Sequence, residues 1–165
     1  MTPVSPIKSH AGYPCWVPKI DYLKKTCKVQ MAQSTRGTMA DVFISYSHYD
    51  RSFADGRGLE RILKSADPAL TFWRDSSIEA GSTWNDEIRN QLSQCRCIVV
   101  LWSKNSWAST WVRQEAFYGY VREILLPIRL DDVVLEPPFT HIQCVDGSRP
   151  MRDTLLSAIG QKLSR

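Results

Sequence analysis

No stretch of this 165-residue chain approaches the roughly 20 consecutive apolar residues that a membrane-spanning helix needs. The first 30 residues lack the apolar core of a secretory signal, so no membrane span and a cytoplasmic location are expected. Histidine is scarce, with His10, His48 and His141 far apart in sequence. The five cysteines (15, 27, 95, 97 and 144) are odd in number and lack zinc spacing. No metal site is expected, and the thiols read as buried and free in a reducing compartment. Cys95 and Cys97, two apart on an expected strand, should share a face. There is no G-x-G-x-x-G and no Walker A stretch, which removes the phosphate cradles of Rossmann and P-loop proteins. No G-x-S-x-G elbow presents a serine nucleophile. A phosphate-accepting receiver would need acidic residues at strand ends that here read Tyr46-Ser47-His48 and Trp102-Ser103.

What is present is ordinary for a soluble globular protein: 43% hydrophobic residues, 23% charged, and length for one domain with a real core. The net charge of +4 is uneven. Residues 1–40 hold six Lys/Arg against Asp21 alone, whereas the remainder holds 15 basic against 16 acidic residues. The body therefore offers no nucleic-acid footprint, and the basicity belongs to an N-terminal arm. Pro3, Pro6, Pro14 and Pro18 exclude regular structure from its first part. Ile20, Leu23, Cys27 and Met31 fall at helical spacing, which fits one short amphipathic helix. Residues 1–38 read as an arm or linker, and 39–165 as the folded domain.

From Asp41 strands and helices alternate. Val42–Tyr46 is a β-branched and aromatic run. A helix follows over 51–65, weakened by Gly56 and Gly58. A second strand over 69–73 leads into a loop over 74–82 and a helix over 84–93, with Asp86 and Glu87 in its first turn. The most apolar strand is Cys95–Trp102. Next comes a helix that Ser103 and Ser106 can cap, then a strand over 124–130 whose Pro127 predicts an edge-like or bulged segment. An acidic, proline-containing loop over 131–138 precedes a short fifth strand over 140–145. Leu155, Leu156, Ile159 and Leu163 give the last helix. This order predicts an α/β three-layer sandwich: a central parallel sheet of about five strands with helices on both faces. Ligands of such sheets bind beyond the carboxyl ends of the strands. That rule collects Tyr46 to Asp50, the loop from Arg74 to Trp84, Trp102-Ser103 and Asp131-Asp132 on one rim.

Trp107, Trp111 and Glu115 are spaced four apart and so share one helix face starting from that rim. A carboxylate among indoles points to a specific ligand role or to perturbed ionisation, against the plainer reading of two core tryptophans and a solvated acid. Trp107 reads as core. His48 fits a polar or stacking contact better than a base.

Asp41 to Tyr46 (DVFISY) resembles the opening strand box of Toll/interleukin-receptor (TIR) domains. Ile78-Glu79-Ala80-Gly81 followed by Trp84 is similar to their loop after the second strand, and Ile98 to Ser103 to their central strand. Trp111-Val112-Arg113-Gln114-Glu115 resembles the Trp-x-x-x-Glu signature of the NAD-cleaving members, and Leu126-Pro127-Ile128 the fourth-strand box. The likeness spans residues 41 to 163 and is nearest to the bacterial type. It implies a flavodoxin-like sheet and an NAD glycohydrolase that cleaves the nicotinamide–ribose bond, releasing nicotinamide and ADP-ribose or a cyclic isomer. By that resemblance Glu115 is the catalytic residue and contacts the ribose hydroxyls, with Ser103 beside it. Trp84 or Trp111 stacks on nicotinamide, Tyr46, Ser47 and His48 line the ribose and phosphates, and Arg51 or Arg74 substitutes for the family's basic phosphate contacts. NAD is substrate, and no cofactor is implied. Asp75, Ile78, Glu79, Ala80 and Gly81 belong to an assembly loop through which TIR domains self-associate. Activation by self-association, a sensor domain or protein outside this chain, and a role in bacterial immunity or host interaction follow by analogy. The alternative is a non-catalytic adaptor for TIR–TIR signalling assembly.

Because the core pattern begins at Asp41, a chain beginning at Met39 is expected to remain soluble and to unfold cooperatively in urea. Recovery only as aggregate would show that residues 1–38 complete the core.

Overall fold

The computed structural model describes residues 40–56, 58–74, 86–148 and 151–164. The N-terminal arm and the loop expected to hold Trp84, Asp75, Ile78, Glu79, Ala80 and Gly81 lie outside these described residues. Five strands form one parallel sheet: β1 (Val42–Ser45), β2 (Phe72–Arg74), β3 (Cys97–Trp102), β4 (Leu125–Arg129) and β5 (Val145–Asp146), in the order β2-β1-β3-β4-β5. The helices are α1 (Arg51–Gly56), α2 (Leu59–Ala66), α3 (Asp86–Gln94), α4 (Lys104–Ala108), α5 (Thr110–Val121) and α6 (Arg152–Leu163). This is the flavodoxin-like α/β sandwich expected from the alternation of elements.

Period-two alternation along each strand divides the core into two layers. Val42, Ile44 and Tyr46 of the first strand and its continuation join Cys97, Val99, Leu101, Leu126 and Ile128 against α2 (Leu59, Leu63) and α6 (Leu155, Ile159). Phe43, Ile98, Val100, Trp102 and Leu125 face α3 (Ile88, Leu92) and α5 (Val112, Ala116, Phe117). β3 is buried along its whole length, as a central strand must be. Cys97 belongs to the first layer and Cys95 to the second, so the two thiols do not share a face. Cys95 precedes the strand, where the alternation has not begun. Burial pushes both thiols up to about 12, which leaves them inert at neutral pH.

Several boundaries differ from the sequence expectation for local reasons. The helix expected over 51–65 is two, because Gly58 takes a left-handed conformation (φ +67°) and starts α2 anew. β2 begins at Phe72 because Asp67 holds the preceding turn, accepting from the Ala69 N–H at 2.9 Å and from the Leu70 N–H at 3.2 Å. Pro127 pairs with Val100 on the inner side of β4, while β5 pairs only with Ile128 and Arg129. The strand is thus edge-like at the proline and covered just beyond it, where donors are available. The start of the expected fifth strand is instead a 3-10 turn (Phe139–His141) and residues 142–144 are irregular, leaving β5 two residues long.

Gly119 sets how deeply α5 lies on the sheet. A Cβ at that position would stand 3.2 Å from Ile98 Cβ and 3.4 Å from Leu125 Cβ. Alanine in a helix interior ordinarily stabilises by about 1 kcal/mol relative to glycine. Here Gly119→Ala is expected to destabilise by about 1–2 kcal/mol, because the added methyl must push α5 off β3. Urea unfolding measures this, and a stabilised variant would show that the helix has room to spare.

Candidate active site

In this strand order the connections diverge to opposite faces between β1 and β3, and the carboxyl ends at such a switch point are where parallel sheets of this kind receive ligands. Ser45, the last residue of β1, pairs with Val100 of β3 and is fully buried. Alternation places it after Phe43 on the α5 face of the sheet. Glu115, in the second turn of α5, is 2% exposed and lies over that strand end. The Ser45 hydroxyl donates a short hydrogen bond to Glu115 Oε2. A buried carboxylate is costly unless it is hydrogen-bonded, and a charged acceptor makes this bond stronger than a neutral one. The sheet and the helix are thus joined through the one acid that the sequence singles out.

The second link across the crevice joins the same loop to the end of β3. Ser47 precedes a 3-10 turn, His48–Asp50, that closes with a 2.7 Å bond from Asp50 N–H to the Ser47 carbonyl. The Ser103 hydroxyl donates to Asp50 Oδ2 at 2.6 Å and accepts from the Ser106 N–H at 3.0 Å. The Ser106 hydroxyl lies 2.7 Å from the Ser103 N–H, completing a reciprocal cap at the head of α4. Ser109 then caps α5, accepting from the Val112 N–H at 3.4 Å. Burial raises the Asp50 carboxyl above the ordinary range, and the nearby Asp131 adds to this against the opposing bond from Ser103.

The expected site residues are distributed as follows. Tyr46 and Ser47 are buried at the end of β1, and His48 stands exposed, its ring 3.8 Å from that of Tyr49. Trp111 is half-buried one turn before Glu115. Ser103 lies on the same rim, but its hydroxyl bonds Asp50 and Ser106. Trp107 packs edge-to-face on Trp102 (centroids 5.4 Å apart) and on Phe139 (6.1 Å), as a core aromatic. Arg74 ion-pairs with Asp55 and, at 2.9 Å, with Glu60, while Arg51 reaches Asp55 at 3.2 Å. These four charges, with Tyr46, Ala54 and Gly58, line a cleft of about 510 Å³. The cleft opens on the α1–α2 side of β1, whereas Glu115 approaches from the α5 side.

Sequence reasoning missed Ser45, and it placed Asp50 on the rim without assigning it a role. The signal for Ser45 was available: it follows Phe43 by two, so the alternation that buries Phe43 also buries a hydroxyl. Asp50 carries no such periodic signal, since it lies in a turn, and its role is identified only by the distant Ser103.

The chain belongs to the TIR domain family, whose model matches residues 42–161. No curated protein matches it significantly in sequence. In fold it is similar to the TIR domain of the Toll-related receptor TRR-2 from Hydra magnipapillata, with a TM-score of 0.54 and 12% identity, covering 77% of this chain and 100% of that one. It is also similar to a metazoan TIR-STING receptor from C. gigas in complex with 2′,3′-cGAMP, with a TM-score of 0.53 and 20% identity, over 80% of this chain and 42% of that one. At these identities the likeness concerns the fold alone. Among the described residues no helix is long and apolar enough to cross a membrane.

The Ser45–Glu115 link is testable by a double-mutant cycle of Ser45→Ala and Glu115→Gln in urea unfolding. A coupling energy of about 1–2 kcal/mol is expected for a buried, charge-assisted bond. Additivity within about 0.5 kcal/mol would mean that the two side chains do not hold each other.

Proposed function

We propose that this TIR domain is an NAD glycohydrolase of the bacterial type, with Glu115 as its catalytic carboxylate. The observation that carries the reading is the placement of Glu115: buried, at the carboxyl rim of the β1–β3 switch point, and aimed by the Ser45 hydroxyl. A side chain so held can hydrogen-bond the hydroxyls of a ribose entering the crevice. As the bond between C1′ and the nicotinamide nitrogen breaks, its electron pair leaves with nicotinamide, which departs neutral. Positive charge develops at C1′ and the ring oxygen, and the Glu115 carboxylate stabilises it. Water then adds to C1′ and loses its proton to solvent. Alternatively, a nucleophilic nitrogen of the same molecule's adenine adds and closes a cyclic product. A cationic leaving group needs no protonation, so one carboxylate can do what O-glycosidases divide between two.

Tyr46, Ser47 and His48 would contact the ribose and phosphates, and Trp111 or Trp84 would stack on nicotinamide. Arg51 and Arg74 are engaged with Asp55 and Glu60, but these pairs are partly exposed and weakly held, so a pyrophosphate can compete for the guanidinium groups. The loop containing Ile78 to Gly81 would contact a second copy, and association would complete the site.

The test is nicotinamide release from NAD over a range of protein concentrations, comparing the native chain with Glu115→Ala and Glu115→Gln. The native protein is expected to release nicotinamide with a specific rate that rises with concentration, and both variants to lose at least about a hundredfold. Equal release by all three would remove Glu115 from the chemistry. Release by none at any concentration would favour the adaptor reading.

A further inference from the structure

The carboxyl rim carries a second acid that the proposed chemistry does not use. Asp50 is half-buried in the turn after β1, on the segment that continues Tyr46, Ser47 and His48. Its carboxylate spans the crevice to Ser103, 53 residues away in sequence, at the head of the α4–α5 pair that carries Glu115. We propose that Asp50 is a positioning residue: by accepting the Ser103 hydroxyl, it fixes the Tyr46–His48 turn at a set distance from Glu115. The inference rests on the glycohydrolase reading for its effect on substrate, but not for the link itself.

Three observations lead there. The hydroxyl of Ser103 has one proton, and giving it to Asp50 leaves its oxygen free to accept the Ser106 N–H. Both roles are filled by one atom that is 2% exposed with its residue, so the turn and the helix cap are set together. Next, the two ends of the link belong to adjacent parallel strands. Ser45 of β1 pairs with Val100 of β3, and the bond lies past both carboxyl ends, outside the Ser45–Glu115 bond. The turn that would meet ribose is thereby tied to the α4–α5 pair at two points rather than one. Finally, the charge is kept at a disadvantage. Burial and Asp131, on the loop after β4, disfavour the ionised form, while Ser103, Asn105 and His48 support it. An acid whose folded-state pKa is raised adds stability at low pH that is lost as the pH rises through that value. Neutral asparagine in its place preserves the acceptor oxygen and escapes that loss. The positioning role therefore needs the acceptor oxygen and not the charge.

The experiment uses the full chain with Asp50→Ala, Asp50→Asn and Ser103→Ala, measured for NAD cleavage across substrate concentration and for amide hydrogen exchange. Asp50→Ala and Ser103→Ala are expected to raise KM about tenfold with a smaller change in kcat, since the turn that meets substrate is loosened while Glu115 keeps its Ser45 bond. Asp50→Asn is expected to keep KM within about threefold of the native value. Its thermal stability should exceed that of the native chain at neutral pH, and the difference should vanish toward about pH 4. Exchange at the Ser47–Asp50 and Ser103–Ser106 amides should quicken in Asp50→Ala and not in Asp50→Asn. An Asp50→Ala protein with unchanged KM and unchanged exchange would overturn the proposal, as would a loss of kcat and stability that leaves KM alone. A native chain that releases no nicotinamide overturns the functional reading and the substrate part of this inference. The exchange comparison then decides the link by itself.

Discussion

Everything at the rim follows from the need to keep one carboxylate inside a protein. Removing a carboxylate from water costs several kcal/mol even after the surroundings relax, and only close polar partners offset it. The Ser45 hydroxyl is one such partner of Glu115, at Oε2, and the requirement reaches back into the whole sheet. Ser45 must end β1 on the α5 face, which depends on the register that sets it against Val100. A slip of one residue would turn the hydroxyl to the α2–α6 face and leave the acid facing an apolar side chain. The helix must also lie close enough for a glutamate to reach the strand, and Gly119 permits this by accepting Ile98 where a methyl group would sit.

The two layers of the sandwich consequently differ in kind. The α2–α6 layer is apolar throughout, from Leu59 and Leu63 across Val99 to Leu155 and Ile159. The α3–α5 layer holds the larger aromatics, Phe43, Trp102, Phe117 and Phe139, and it is the layer into which Glu115 is inserted. Those rings form a rigid wall: Trp102 contacts both Trp107 and Phe139 with centroids 5.4 and 5.2 Å apart. At the β2 edge the arrangement is the reverse. Arg51, Asp55, Glu60 and Arg74 are exposed enough for water to screen them, so their pairing shapes the cleft without fixing it.

The sheet was legible because each strand announces itself by composition and alternation: VFIS, CIVVLW and LLPIR are buried runs that no helical period explains. Glu115 was legible in part: its spacing from Trp111 is a helical repeat within α5, whereas Trp107, expected on the same helix face, belongs to α4, because Ser109 leaves the helical conformation (φ −77°, ψ 119°) and starts α5 anew. What escaped was conformation decided by a single residue or by a distant partner. Gly58 splits a helix through its own φ, an event that periodicity averages away. The fifth strand shrank because its first residues form a 3-10 turn, where short local hydrogen bonds win over a distant edge. Asp50 was placed on the rim by the strand-end rule, but its role became visible only when Ser103 was placed beside it. Residues 75–85, where the resemblance puts Trp84 and the assembly loop, lie outside the described structure, so those expectations stand on sequence alone.

The buried acid bears on the choice between the proposed enzyme and a scaffold. A domain that acts only by docking uses its outer surface, and its interior is best served by apolar side chains of matched shape. Replacing Glu115 and Ser45 by such a pair would cost a scaffold nothing and would relieve it of a buried acid. Asp50 repeats the point at the other end of the crevice, where burial opposes its ionisation and a neutral acceptor would hold Ser103 as well. Glu115 and Asp50 both lie at the switch point of one sheet, the first as the proposed catalytic carboxylate and the second as a hydrogen-bond acceptor that positions the neighbouring turn. The proposed glycohydrolase chemistry would give the Glu115 carboxylate a use there, because the reacting carbon of its substrate becomes positive.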